Sequence, residues 1–365
     1  MMASMTPRPG IMDMAPYVPG ASKVEGVDRI IKLSSNEGAL GPSPKAVEAY
    51  EALASTLHRY PDGASVELRK AIGAQHGLDP DLIVCGAGSD EVLGLLARAY
   101  AGPGDEILFG EHAFVMYPLF ALGVGATPVK APETGFTVTV DALLAKVTDR
   151  TRVVYIANPN NPTGTFVTKD EMTRLRQSLR DDILLVIDAA YAEYVTRNDY
   201  SSGVEMVDAG ENVVMTRTFS KIYALGGVRL GWAYCSGAVA DVLNRIRPPF
   251  NVTSAAQGAG IAAVNDVEFL TRSRDHNTAW LPWLSERLAE SGLDIVPSVG
   301  NFVLALFRDD GAHDAAAAMA FLTARGIIPR STASAGIPHG IRITIGLEHE
   351  MRATADAITE FMGKS

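Results

Sequence analysis

The sequence predicts an α/β protein in which a large domain, with a mostly parallel sheet flanked by helices, is joined to a smaller α+β domain. Two observations lead to this prediction. Short strands rich in Val, Ile and Leu alternate with helices over most of the chain, which is typical of buried parallel sheets. With 365 residues and 47% hydrophobic content, the chain can also bury more core than one small domain needs.

The first part of the chain predicts an arm followed by the alternating series. Residues 1–40 are rich in Pro and Gly and are interpreted as an extended N-terminal arm rather than a packed unit. Amphipathic helices are expected from Pro44 to Leu57 and from Ser65 to His76. The elements that follow are expected as strands at 83–85, 106–109, 153–157, 184–188, 213–216 and 230–235, and as helices at 90–100, 114–123 and 169–179.

After Arg247-Pro-Pro-Phe250 the pattern changes. One long helical stretch is expected from Ser254 to about Glu290. It is followed by expected strands at 295–297, 302–307 and 341–345 and a helix at 313–325. We therefore predict a large domain at 41–247 and a small C-terminal domain at 248–365, which the arm 1–40 joins.

Charge and composition argue against several functional classes. A net charge of −10 disfavours nucleic-acid binding, and any anion site must be built locally from arginines and helix N-termini. The two cysteines, Cys85 and Cys235, lie in apolar runs, which favours a reduced, cytoplasmic setting. Neither a signal peptide nor a membrane span is expected, and the histidines show no metal-ligand spacing.

Lys221 is the most informative candidate for catalysis. It follows the apolar run 213–215, comes directly after Ser220, and precedes Arg229 by eight residues. A buried amine is costly to keep charged, so burial favours the neutral, nucleophilic form that Schiff-base chemistry needs. The hydroxyl and the guanidinium would suit a phosphate. A surface lysine in a Gly-rich loop is the alternative.

Further polar groups are expected at the carboxyl ends of buried strands, where α/β sheets bind ligands. The run Gly86-Ala-Gly-Ser-Asp-Glu91 predicts either a phosphate site at a helix N-terminus or an ordinary turn. Asn161 follows strand 153–157 in a turn rich in Pro and Asn. Asp188 ends a very apolar strand, so it needs a cationic partner such as a pyridine nitrogen, or else caps the next helix. Tyr191 could donate to a ring substituent.

Two arginines near the C-terminus are candidates for anion binding. Arg342 alternates with apolar residues, so its guanidinium is expected to point off one face of a strand, where it needs an anion. Arg330 follows the apolar run Ile327-Ile-Pro. A structural salt bridge is the alternative for both arginines.

Four motifs, in order along the chain, resemble those of the fold-type-I PLP-dependent aminotransferases, most closely the histidinol-phosphate aminotransferase branch: Gly88-Ser-Asp-Glu91, Asn161-Pro-Thr-Gly164, Asp188-x-x-Tyr191, and Ser220-Lys221 with Arg229. The resemblance covers nearly the whole chain, since Ala15–Gly20, Tyr60-Pro-Asp62 and Arg342–Gly346 also fit. It implies a pyridoxal 5′-phosphate (PLP) cofactor and a homodimer with shared active sites.

The resemblance also implies a role for each matching residue. Lys221 would form the Schiff base and move the proton between carbons, and Asp188 would pair with the pyridine nitrogen. The ring would further contact Asn161, Tyr191 and Phe114. The cofactor phosphate would be held by Ser89, Asp90, Thr218, Ser220 and Arg229, and by Tyr60 of the partner subunit. The substrate would contact Tyr17, Asn36, Arg330 and Arg342.

The sequence departs from the family pattern at three places. Phe114 stands where a tyrosine is usual, so stacking on the ring remains but a hydroxyl is lost. The usual Asn-Glu-Asn-Pro-Tyr-Gly motif reads Asn36-Glu-Gly-Ala-Leu-Gly41, and Leu40 is expected to weaken a contact to a substrate phosphate. Ala189 stands where a glutamate is common.

The resemblance implies transamination of L-histidinol phosphate with 2-oxoglutarate, which gives imidazole-acetol phosphate and glutamate in histidine biosynthesis. An aromatic amino acid aminotransferase and a PLP-dependent phospho-amino-acid decarboxylase are the alternatives on the same scaffold. A non-catalytic PLP-sensing module is less favoured. Such modules usually carry a DNA-binding domain, for which this acidic chain is poorly suited.

Overall fold

The computed structural model describes residues 5–16, 20–21, 23–24, 26, 29–210, 212–308 and 311–363. Its strands are β1 (Ile31–Lys32), β2 (Ile83–Gly86), β3 (Glu106–Gly110), β4 (Thr127–Ala131), β5 (Glu133–Thr134), β6 (Thr137–Val138), β7 (Thr151–Ala157), β8 (Leu184–Asp188), β9 (Val213–Thr218), β10 (Gly231–Cys235), β11 (Asp294–Val296), β12 (Phe302–Leu306), β13 (Ile327–Ile328), β14 (Arg330–Ser331) and β15 (Gly340–Thr344).

The helices, in chain order, are α1 (Pro44–Ala52), α2 (Val66–His76), α3 (Ser89–Tyr100), α4 (Met116–Val124), α5 (Val140–Leu144), α6 (Lys169–Ser178), α7 (Val204–Ala209), α8 (Gly237–Ile246), α9 (Ser254–Asn265), α10 (Val267–Glu290), α11 (Ala315–Ala324) and α12 (Glu348–Phe361). Within the described residues, none of these helices combines the length and the apolar character that crossing a bilayer requires.

In the described part of the chain, seven strands form the main sheet in the order β2-β10-β9-β8-β7-β3-β4. Only β10 is antiparallel to its neighbours, which confirms the mostly parallel sheet. Successive residues of β8 point to opposite faces: Leu185 and Ile187 join one buried cluster, Leu184 and Val186 another. Both faces are covered, which explains why these strands are apolar throughout instead of alternating.

The direction of β10 brings its amino end to the edge where the other strands of the main sheet have their carboxyl ends. Gly231, the first residue of β10, pairs with Gly86 at the end of β2 and with Thr218 at the end of β9. Arg229, two residues before β10, is therefore delivered to the same edge as Asp188 and Thr218. Polar groups that follow the carboxyl ends of the parallel strands therefore lie beside those that precede the amino end of β10.

A second, antiparallel sheet has the order β11-β12-β15-β14 and packs with helices in its own buried cluster. The cluster includes Leu284 and Leu288 of α10, Ile341 and Ile343 of β15, and Ile358 of α12. This confirms a smaller α+β unit. The boundaries at 40/41 and 247/248 stay predictions, although β1 pairs with β13 beside this sheet, as expected if the arm joins the small domain.

The predicted single helix from Ser254 to about Glu290 is wrong, because the chain leaves helical geometry at Asp266, between α9 and α10. The carboxylate of Asp266 accepts hydrogen bonds from the hydroxyl of Ser43 and from Nζ of Lys45 at 2.9 Å. Both partners belong to the start of α1, so the break is tied to a tertiary contact. The helix predicted from Pro44 to Leu57 also ends earlier, at Ala52.

Two other expectations differ from the structure. The arm is not unpacked throughout, because Leu33, Ser34 and Asn36 are buried and the carbonyl of Leu33 accepts from the amide of Thr344 at 3.1 Å. The edge strand β4 was missed, since Thr127–Ala131 contains Pro128 and Lys130. Proline and lysine are both typical of edge strands and weaken the apolar pattern by which strands are recognised.

Gly231 is a position where the fold leaves no room for a side chain. A Cβ there would overlap the backbone nitrogen of Ser89 and lie 2.6 Å from the carbonyl carbon of Gly88. We expect Gly231→Ala to push β10 and α3 apart and to lower the free energy of unfolding by about 1–3 kcal/mol. Calorimetric melting would show this as a lower Tm.

Gly237→Ala is the matched control for this substitution. It lies in the first turn of α8, and a Cβ there would meet only Leu82, at an ordinary contact distance of 3.9 Å. Its stability is expected to stay within about 0.5 kcal/mol of the parent protein. Equal melting temperatures for the two variants would contradict the close approach described above.

Candidate active site

A cavity of about 310 Å³ opens where the polar edge of the main sheet faces β14 and β15. The sequence-predicted site residues that line it are Asn36, Ser89, Asp90, Phe114, Asn161, Asp188, Tyr191, Thr218, Ser220, Lys221, Arg229, Arg330 and Arg342. These residues come from distant parts of the chain, so the fold alone brings them together.

Among the described residues named from the sequence, Tyr60 and Leu40 are not on the cavity wall. Tyr60 is 83% exposed and stacks on Phe250, with 4.7 Å between ring centroids. Leu40 lies with Tyr194 in a separate small cleft, so its position does not support the expected effect on a substrate phosphate. Tyr17 lies outside the described residues.

The N-terminus of α3 forms one wall of the cavity. Gly88 precedes it with a positive φ of 84° and offers no side chain to cap the first N–H groups. Arg229 reaches this point with Nη1 3.3 Å from the hydroxyl of Ser220 and Nη2 3.3 Å from the carboxylate of Asp90. Backbone N–H groups, a hydroxyl and a guanidinium therefore converge where an anion could bind.

Asp188 is the most deeply buried charge-bearing group on the described cavity wall, with 5% of its surface exposed. Its carboxylate accepts hydrogen bonds from the hydroxyl of Tyr117 at 2.9 Å and from that of Thr216 at 3.2 Å. Burial raises the pKa of Asp188 to about 6, although these hydrogen bonds oppose the rise. A cationic ligand atom beside the carboxylate would offset the cost of its charge.

Lys221 extends into the cavity from the loop after β9. Its Nζ donates to the backbone carbonyl of Ser35 at 3.1 Å and lies 5.7 Å from the ring centroid of Tyr191. The side chain is only half-buried, less than the apolar run before it suggested. An amine in this position is open to a ligand in the cavity.

Tyr191 is oriented by a residue of the N-terminal segment. Asn36 Nδ2 donates to the Tyr191 hydroxyl at 2.8 Å, while Asn36 Oδ1 accepts from the hydroxyl of Thr344 at 3.0 Å. The tyrosine oxygen thus accepts from inside the protein, and its own proton can be donated to a ligand. Asn36 was predicted to bind substrate; it lies on the cavity wall, and its amide is bonded to these two hydroxyls.

Arg342 reaches the cavity because its side chain points away from the hydrophobic cluster that packs on the second sheet. Its neighbours on β15, Ile341 and Ile343, face that cluster, so the alternation expected from the sequence is present. Nη1 donates to Oδ1 of Asn161 and Nη2 to the carbonyl of Ser34 at 2.7 Å. The first bond orients the Asn161 amide so that Nδ2 is the group able to donate to a ligand.

The described wall of the cavity carries four cations and three carboxylates: Lys221, Arg229, Arg330 and Arg342, against Glu37, Asp90 and Asp188. Glu37 is paired with Lys32 at 2.6 Å and Asp90 with Arg229 at 3.3 Å. The cavity is therefore suited to anions although the chain has a net charge of −10. The acidic sequence predicts that any anion site is built locally from arginines, and this cavity has that composition.

Sequence reasoning missed Tyr117 and Thr216, the two side chains that hold Asp188. Thr216 is the only hydroxyl between Val213 and Arg217, and its place two residues before Thr218 puts both on one face of β9. Tyr117 follows Phe114 by three residues, a spacing that brings two rings together at the start of a helix. These two spacings are the features from which the sequence could have indicated side chains beside Asp188.

Comparisons with known proteins agree with this geometry. The family model for aminotransferase class I and II matches residues 28–358. The histidinol-phosphate aminotransferase of Paramagnetospirillum magneticum is 60% identical over 362 residues, which cover 99% of this chain and 100% of that protein. That of Rhodospirillum centenum is 55% identical, with 99% of both chains covered.

A solved structure shares the same fold. The crystal structure of histidinol-phosphate aminotransferase from Sinorhizobium meliloti in complex with pyridoxal-5′-phosphate has a TM-score of 0.85 and 29% identity to this chain. The match covers 92% of each of the two chains. From its matching family model and its full-length relatives, the chain belongs to the class I and II aminotransferases.

Proposed function

We propose that the protein is a PLP-dependent aminotransferase that transfers the amino group of L-histidinol phosphate to 2-oxoglutarate. The products are imidazole-acetol phosphate and glutamate, in histidine biosynthesis. The observation that carries the proposal is one cavity that combines the Lys221 amine, the buried Asp188 carboxylate and the anion site at α3. Identity of 60% to a full-length histidinol-phosphate aminotransferase supports the choice of substrate.

The residues present fit PLP. A protonated ring nitrogen would offset the cost of ionising Asp188, whose pKa burial raises to about 6. The phosphate would meet the N–H groups of Ser89 and Asp90, the hydroxyls of Thr218 and Ser220, and Arg229. Gly88 keeps this space open, because a Cβ there would overlap the guanidinium of Arg229. The relative from Sinorhizobium meliloti was crystallised with this cofactor.

When bound, PLP supplies an aldehyde that takes up the amino group and a ring that withdraws electrons from the reacting carbon. Lys221 Nζ would hold the cofactor through that aldehyde and, once the substrate amine has taken its place there, would be free to accept and return a proton. Asp188 keeps the ring nitrogen protonated. The hydroxyl of Tyr191 and Nδ2 of Asn161 donate to the ring oxygen, and Phe114 contacts the ring itself.

Arg330 and Arg342 form the binding site for the substrate anion. The same guanidinium groups hold a phosphate in one half-reaction and a carboxylate of glutamate in the other, since both anions accept paired N–H donors. The bonds of Arg342 to Asn161 and Ser34 support this role by fixing the guanidinium before the substrate arrives. Tyr17 completes this site in the proposal.

The proposed assembly is a homodimer in which Tyr60 reaches the cofactor phosphate of the partner subunit. The exposed, stacked position of Tyr60 supports this. Val47, Tyr50 and Leu57, which precede Tyr60 in the chain, are also large exposed side chains, and a second copy would bury such groups. We propose the cytoplasm as its location, which the free, buried thiols of Cys85 and Cys235 support.

The choice of amino donor is tested by a screen of single half-reactions. We expect kcat/KM for histidinol phosphate to exceed that for phenylalanine or tyrosine by on the order of 100-fold or more, because only the phosphate ester presents a dianion to the arginines. The measurement follows the change in absorbance of the bound cofactor, with aspartate as a further donor. A preference for aromatic amino acids, or release of CO2, would assign the enzyme to an alternative.

Lys221→Ala is expected to abolish transamination and to remove the absorbance band of the lysine-bound cofactor. No other amine is placed on the described cavity wall to replace it. Lys169→Ala is the matched control, because Lys169 lies on the surface, 3.6 Å from Glu205. Retained transamination in Lys221→Ala would remove the basis of the proposed function.

Arg342→Ala is expected to slow both half-reactions by on the order of 100-fold, since each loses hydrogen bonds between charged groups. Arg342→Lys keeps the charge but not the paired donors, and should recover only part of the loss. Rates with histidinol phosphate and with glutamate are measured separately. A defect confined to one of them would mean that the two substrates use different anion sites.

A further inference from the structure

Tyr117, on α4, lies behind the cavity wall and has no exposed surface. Its hydroxyl donates to Oδ2 of Asp188 at 2.9 Å. Its ring stacks on Tyr155, with 4.8 Å between centroids and 14° between planes, and meets Phe114 edge-on at 5.7 Å. Because packed rings hold it on these sides, the hydroxyl is fixed against Asp188 and cannot turn to solvent.

We propose that Tyr117 is a positioning residue whose hydroxyl, together with that of Thr216, keeps Asp188 ionised so that the proton shared with PLP stays on the ring nitrogen. This inference rests on the proposed function, since it concerns the same cofactor. It assigns a task to a residue that touches neither the cofactor nor the substrate.

One proton between Asp188 and the ring nitrogen can take two arrangements. Either a carboxylate faces a protonated ring nitrogen, or a carboxylic acid faces a neutral one. Hydrogen bonds donated to Asp188 stabilise its ionised form more than the neutral acid, whereas burial favours the neutral acid. Only the first arrangement makes the ring a strong electron sink. Removing a donor therefore shifts the proton from the ligand to Asp188.

The groups around Asp188 act in opposite directions. Burial is the largest influence and raises the pKa of the carboxyl to about 6, and the charge of Asp90 also raises it. The hydrogen bonds from Tyr117 and Thr216 and the charge of Lys221 lower it. Tyr155 and Tyr200 are further titratable groups that interact with the charge of Asp188.

The direction of the hydrogen bond from Tyr117 is settled by its surroundings. Burial, and next the negative charge of Asp188, raise the pKa of Tyr117 well above its usual value. The phenol therefore keeps its proton, and an ionised carboxylate can only accept. Tyr117 is thus a constant donor to Asp188 over the working pH range.

Tyr155 provides a matched control. Like Tyr117, it is fully buried, and its ring stacks on that of Tyr117. Its hydroxyl, however, donates to the carbonyl of Leu93 at 2.7 Å. Tyr117→Phe and Tyr155→Phe each remove one hydroxyl from the same aromatic stack. Only the first removes a donor to Asp188, so a difference between the variants reports on that carboxylate.

The test loads the cofactor-free forms of the protein and both variants with PLP labelled with ¹⁵N in the ring. We expect Tyr117→Phe to raise the Kd for PLP roughly tenfold, the size of effect typical of a hydrogen bond to a charged group. The ¹⁵N resonance of PLP bound to this variant should move toward the chemical shift of an unprotonated ring nitrogen. In a plot of PLP affinity against pH, the loss of affinity on the acid side should begin at a higher pH than in the parent protein. Tyr155→Phe should match the parent protein in all three.

A PLP analogue with carbon in place of the ring nitrogen separates this role from simple packing. It has no nitrogen to protonate, so Tyr117→Phe is expected to bind it as tightly as the parent does. An equal loss of affinity for PLP and the analogue would overturn the proposal, as would an unchanged ¹⁵N resonance. Failure of the proposed function would look different, because the parent protein itself would not bind PLP.

Discussion

The ionisation of one buried carboxylate, Asp188, is the constraint around which the site is built. It ends a strand whose residues are buried on both faces, so little solvent reaches the carboxylate to stabilise its charge. Two hydroxyls, from α4 and β9, donate to it, and the Lys221 amine lies near enough to favour its charge. A cationic ring nitrogen would be the remaining partner, which ties the fold to its proposed cofactor.

The segment Leu33–Glu37 connects this carboxylate site to the second sheet. The carbonyls of Ser34 and Ser35 accept from Arg342 and Lys221, and Asn36 orients Tyr191. Asn301, near the start of β12, donates to the carbonyls at positions 36 and 37. One short stretch of backbone therefore positions the proposed catalytic amine, the proposed ring-oxygen donor and the proposed substrate arginine relative to one another.

Some of the site could be predicted because single residues contradict their local pattern. Asp188 stands at the end of an apolar run, Arg342 alternates with isoleucines, and Lys221 follows a buried strand. Such residues are costly to bury without a partner, so the pattern itself indicates a ligand. Tyr117 gives no such signal, because a tyrosine in an apolar helix looks like ordinary core. The break at Asp266 is tied to hydrogen bonds from Ser43 and Lys45 at the start of α1, which no local window contains.

The sequence by itself determined the mostly parallel sheet, the smaller α+β unit and the chemical types present at each strand end, because periodicity and burial cost are local properties. Only the tertiary structure decided which of these groups meet. The reversed strand β10 brings Arg229 to the edge that holds Asp188, and α4 places the Tyr117 hydroxyl behind it. Strand direction and ring packing depend on contacts between distant segments, so they are absent from the sequence pattern.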